Sequence, residues 1–132
     1  MLIRGLLELS KRVKLKYMEI KIVKEKISLE EIKKIAQEQY GNMIKTVVDI
    51  ERGIMAVGGE LHADASELLF EKENSDSKNV WGINIYPGET KDKWIVFDSL
   101  INIKPLSNNR SLGVESEEVR NKIREIVNKL IE

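Results

Sequence analysis

The sequence predicts an α+β fold, a two-layer sandwich in which an antiparallel sheet of four to five strands carries two main helices on one face. Three observations predict it. Apolar and polar residues alternate with period two in segments between Thr46 and Ile103, stripes of helical spacing flank that region, and the strand-like runs are joined by hairpin-length turns. A chain of 132 residues with 42% hydrophobic content buries one core, and no linker or internal repeat divides it.

The elements follow in order. Residues 1–17, MLIRGLLELSKRVKLKY, hold five basic residues against Glu8, a net of +4 that leaves −4 on the remainder. The self-contained start MEIKIVKEKISLEE favours translation from Met18, which makes this extension a gene-start artefact and places the domain at 18–132. A short helix or edge strand docked on the domain and a basic amphipathic segment at a membrane surface are the other readings. A signal peptide fits worst, because basic residues interrupt the apolar stretch and no small-residue cleavage site follows.

Glu19 to Val23 alternates as a short edge strand. Ser28-Leu-Glu-Glu31 is a capping box, Leu29, Ile32, Ile35, Ala36 and Tyr40 form a helical stripe, and Gly41 supplies the left-handed stop. Thr46–Ile50 and Ile54–Leu61 are expected to pair as a hairpin through Glu51-Arg-Gly53, with a bulge or close backbone approach at Gly58-Gly59. Asp64, with Glu67 three residues on, caps a short helix over Ala65–Lys72, although Leu68-Leu69-Phe70 also reads as strand. After the loop ENSDSKN, Val80–Tyr86 and Trp94–Ile103 are expected to form a second hairpin through Pro87-Gly88. Leu106–Gly113 is a loop, and Ser116 caps a final helix whose stripe is Val119, Ile123, Ile126, Val127, Leu130 and Ile131.

Composition narrows the function classes. Without cysteine there is neither a disulfide framework nor a thiolate metal site. The longest apolar runs are a few residues, so no membrane span is expected and the chain reads as soluble and cytoplasmic. A domain of net charge −4 is a poor ligand for nucleic acid, whose phosphates are met by clustered Lys and Arg.

The run Val47-Val-Asp-Ile-Glu-Arg-Gly-Ile-Met-Ala-Val-Gly-Gly-Glu-Leu-His-Ala-Asp64, with Trp81-Gly-Ile-Asn-Ile-Tyr-Pro87, Phe97-Asp-Ser-Leu-Ile-Asn-Ile103 and Asn109-Arg-Ser111, resembles an uncharacterised family of small prokaryotic proteins, a domain of unknown function. The likeness covers Met18 to Glu132 and omits the extension. It implies a single domain and brings no mechanism, cofactor or catalytic residue.

Candidate chemistry centres on His62, the one histidine. Glu60, His62 and Asp64 at i, i+2 and i+4 would share one face of a strand, where imidazole and carboxylates could move protons or hold a metal. The pattern matches no established metal motif, so neither a metal nor a cofactor is specified. If Val48, Ile50, Met55, Val57, Leu61, Trp81, Ile83, Ile85, Ile95, Phe97, Ile101 and Ile103 face the core, then Asp49, Glu60, His62, Asn84, Asp98 and Asn102 line a helix-free polar face. Asp and Asn are depleted in strands, so their recurrence points to a ligand surface, against the plain reading of a solvated sheet face. By the same parity Trp94 lies on the polar face, as a pocket floor or dimer contact. Arg110 would hold an anion or pin its loop to carbonyls or to Asp98. No P-loop, dinucleotide fingerprint or nucleophile elbow is present.

These observations favour a non-enzymatic binding or protein-interaction module using the open polar face, as a homo-oligomer or with a cytoplasmic protein partner. The alternative is a small hydrolase or metal-assisted enzyme. There His62 would be base or ligand, Glu60, Asp64 or Asp98 its carboxylate partners, and Arg110 an anion holder.

Overall fold

A computed structural model describes residues 20–132, and the readings of residues 1–17 lie outside the described residues. The elements are β1 (Ile20–Val23), α1 (Leu29–Gln39), β2 (Ile44–Asp49), β3 (Ile54–Gly58), α2 (His62–Glu73), β4 (Val80–Ile85), β5 (Ile95–Val96) and α3 (Glu117–Leu130). The strands form one antiparallel sheet in the order β1-β3-β2-β4-β5. Among the described residues no helix is long and apolar enough to cross a membrane.

Local chemistry sets the boundaries. Ser28 Oγ accepts the Glu31 N–H at 3.1 Å to start α1, and Gly41, at φ +91°, ends it by donating its N–H to the Ala36 carbonyl at 2.7 Å. Asp49 Oδ1 takes the N–H groups of Glu51 and Arg52 at 2.9 and 3.0 Å, which fixes the β2–β3 turn. Ser116 Oγ accepts the Val119 N–H at 3.2 Å to open α3.

One face of the sheet presents Val48, Met55, Val57, Trp81, Ile83 and Ile85 to Ile32 and Ala36 of α1 and to Ile123, Val127 and Leu130 of α3. This is the expected pair of main helices on one face. Each fully buried aliphatic side chain here contributes roughly 1.5–3 kcal/mol. The chain end closes the same layer, because Ile27 N–H donates to the Leu130 carbonyl at 2.8 Å and Glu132 N–H to the Ile27 carbonyl at 3.0 Å.

The other face is not helix-free. Ala65, Leu68 and Leu69 of α2 pack on Ile20, Val47, Ile54, Ala56 and Val80. Two glycines account for the difference: Gly58 and Gly59 stand at φ +101° and +88° and turn the chain out of β3, so the strand stops at Gly58 instead of Leu61. A Cβ on Gly59 would lie 2.8 Å from Ile20 Cγ1, so the glycine also permits the close passage over β1.

The expected strand Trp94–Ile103 is likewise mostly absent, with Ile95 and Val96 alone pairing with β4. Beyond them the Asn102 side chain takes the place of a strand. Its Oδ1 accepts the Gly82 N–H at 2.8 Å and its Nδ2 donates to the Gly82 carbonyl at 2.9 Å and the Leu112 carbonyl at 2.9 Å. Gly82 admits this approach, since a Cβ there would meet Ser99 Oγ at 2.5 Å and Ser99 Cβ at 2.6 Å. A single amide thus satisfies the β4 edge that a longer β5 would have paired.

Candidate functional site

His62 opens α2 rather than sitting on a strand, so Glu60, His62 and Asp64 do not share a strand face. The ring is buried against the sheet with Nε2 2.7 Å from the Ile83 carbonyl. A carbonyl can only accept, so Nε2 carries the proton and Nδ1 is left with its lone pair. Burial is the main influence on the imidazole and lowers its pKa below the ordinary 6.5; the Ile83 carbonyl favours the proton, the Lys45 ammonium opposes it, and Asn84 and Asp98 favour it. His62 is therefore a neutral, buried ring near neutral pH.

Asn84 lies on the expected face, cross-strand from Lys45 on β2 and Val96 on β5. It is buried, and its Oδ1 has no hydrogen-bond partner among the described residues. Asp49 is on that face too, but its carboxylate is committed to the β2–β3 turn. Asn102 is fully buried in the short 3-10 turn Leu100–Asn102 and committed to Gly82 and Leu112.

Trp94 is the clearest departure in position. It is 2% exposed and belongs to the core beneath α1 and α3, not to the polar face. Only two residues of β5 are paired and both follow Trp94, so strand alternation imposes no direction on it.

The remaining candidates do not gather around the imidazole. Glu60 is exposed, and its carbonyl accepts the Tyr40 hydroxyl at 2.8 Å, beside a cleft of about 400 Å³ lined by Glu38, Lys45 and Leu61. Asp64 is in the first turn of α2, where an acid suits the helix dipole, and Leu61 rather than Asp64 is the N-cap. Asp98 is exposed and acts on His62 through its charge. Arg110 is exposed, with its backbone N–H bonded to Glu115 Oε2 at 3.0 Å. Among the described residues no group of three or more acid or imidazole side chains is placed to hold a metal ion.

The loop is pinned one residue earlier. Asn109, buried at 3% exposure, donates through Nδ2 to the carbonyls of Asn102 at 2.7 Å, Gly113 at 2.8 Å and Ser111 at 3.2 Å. Its Oδ1 accepts the Glu115 N–H at 2.8 Å, and its backbone pairs with Lys104 in both directions. Two asparagine amides, 102 and 109, thereby hold the segment from Ser99 to Glu115 against the sheet edge.

That stitched segment presents apolar side chains to water. Leu100 is 77% exposed and Leu106 fully so, and Val96, Ile103 and Leu112 are exposed as well. The sequence reading missed this surface because it placed the residues in a strand and a loop. The available signal was Gly82, a glycine inside a strand pattern, which marks close approach by another chain segment.

The chain belongs to the family described as Protein of unknown function (DUF5674), whose family model matches residues 21–130. Comparison with the curated proteins and with the solved structures finds no match.

Proposed function

We propose that this domain is a protein-interaction module whose contact surface is the apolar side of the 96–112 segment. The reading moves the contact away from the sheet face, which α2 and the Ser99–Asn102 turn cover. The observation that carries it is exposed Leu100, Ile103 and Leu106 on a backbone held by the amides of Asn102 and Asn109. Leucines exposed to water are unfavourable until a partner buries them, and a fixed backbone lowers the ordering cost of that partner's arrival.

The experiment is photo-crosslinking in cells from a reactive residue placed at Leu106, with a second placed at Lys122 on the exposed side of α3 as control. A defined polypeptide adduct from position 106 alone, lost in Leu100→Ser, is expected. An adduct of twice the chain's mass would identify the partner as a second copy. Adducts in equal amount from both positions, or none from 106, would refute the reading.

A further inference from the structure

We infer that the groove between α2 and the 3-10 turns following β5 binds a small organic monocarboxylate with an apolar body. The groove encloses about 630 Å³, within the range of small-molecule sites. One wall is a helical stripe, Ala63, Ser66, Glu67 and Phe70, whose ring is 65% exposed; the other is formed by Ser75, Ile101 and Lys104.

One polar group lining this groove lacks the partner its burial demands, and a second lacks a counter-charge. The Lys104 ammonium is half-buried, donates to the Ile101 carbonyl at 2.8 Å and lies 5.1 Å from the Trp81 ring centroid. An ammonium has three N–H donors, and among the described residues no carboxylate pairs with it. Burial lowers its pKa from the ordinary 10.5, which is what a cation short of a counter-charge does. Ser75 is 1% exposed, and its hydroxyl has no hydrogen-bond partner among the described residues.

A carboxylate supplies what both groups lack: a counter-charge for Lys104 and an acceptor for the Ser75 hydroxyl. Phe70 and Ile101 then offer apolar area to the rest of the molecule. Two acids also line the groove and limit the charge it takes. Asp76 is committed to Lys78, through its N–H at 3.1 Å and its ammonium at 3.8 Å, whereas exposed Glu67 disfavours a second negative charge. A monoanion is therefore preferred to a phosphate ester. A free metabolite and a peptide C-terminus share this chemistry and supply the carboxylate equally well.

The inference uses side chains other than the exposed leucines, so it stands or falls separately from the interaction surface. The test is an amide-shift NMR titration of the full chain with 3-phenylpropanoate, 3-phenylpropanol and phenyl phosphate. An N-acetylated tripeptide ending in phenylalanine, as acid and as C-terminal amide, separates the two sources. Saturable shifts at Ser75, Ile101 and the Trp81 indole are expected with the acid, at least tenfold tighter than with the alcohol or the phosphate. Lys104→Met should erase that preference, Ser75→Ala should weaken acid binding several-fold, and Lys34→Met, at an exposed position of α1 on the far side of the sheet, should leave it unchanged. Equal affinity for acid and alcohol in the wild-type chain, no saturation by either in the millimolar range, or an undiminished preference in a folded Lys104→Met would each overturn the site.

Discussion

Beneath α1 and α3 the sheet is closed by interlocking aliphatic and indole side chains, among them Ile83, Met55, Ile123 and Trp94, nearly all without exposure. On the opposite side, α2 covers part of the surface with Ala65, Leu68 and Leu69, and the rest of the closure is made by two amides and a carboxylate that bond to backbone: Asn102 to Gly82, Asn109 to four residues of its own loop, Asp49 to its turn. The difference teaches where rigidity comes from at each site. Apolar packing is tolerant of detail and supplies most of the stability. Amide stitching is intolerant of detail and fixes the conformation of a segment that has turned its leucines outward.

Four substitutions sharpen or break that contrast. Trp94→Ala should cost the most, about 3–5 kcal/mol in urea unfolding, as expected for an aromatic in a closed core. A cost below about 1 kcal/mol would remove Trp94 from that core. Asn102→Ala comes next, at about 2–3 kcal/mol, because it strands the Gly82 N–H and the carbonyls of Gly82 and Leu112. A neutral result would mean the β4 edge needs no amide. Gly82→Ala should cost roughly 1–3 kcal/mol by overpacking against Ser99. Adding Ser99→Gly should return part of it, and strict additivity of the two changes would deny the contact.

The smallest effect is a pH dependence. The native state of His62 binds its proton less readily than the unfolded chain does, so the unfolded state takes up the proton first as pH falls. Its neutral ring leaves stability undiminished above pH 6.5, and stability declines from there down to the lowered native pKa. His62→Gln should flatten that part of the stability curve. A wild-type curve that rises with falling pH across the same window would contradict the buried neutral ring.

The sequence was legible where a residue's role depends on its neighbours along the chain. Ser28, Gly41, Gly53 and Ser116 cap and turn as read, and the parity of Val48, Met55, Trp81 and Ile83 assigns the face that α1 and α3 cover. Parity also places Asp49 and Asn84 on the opposite face, as observed. It held for Ile95 and Phe97, which pack against the main core, and failed at Trp94, at Ile101 and Ile103, which lie against α2 and in water, and at His62, for one physical reason. Alternation holds only while a strand is paired, and the chain leaves the sheet at Gly58 and again after Val96. Asn102 bonds to Gly82, 20 residues away in sequence, and Asn109 to backbone within its own loop, and neither role leaves a periodic trace. The same holds for Ser75 and Lys104, which lie 29 residues apart and line one groove.

The central claim is that a side-chain amide completes the β4 edge and so fixes the segment that displays the leucines. Hydrogen exchange at the Gly82 amide tests it most directly, since that N–H points at Asn102 Oδ1 and not at a strand. The account predicts protection comparable to that of Ile83 and Val48 in the wild-type chain, falling by at least tenfold more at Gly82 than at Val48 in Asn102→Ala. Rapid exchange of the Gly82 amide in the wild-type chain would contradict it.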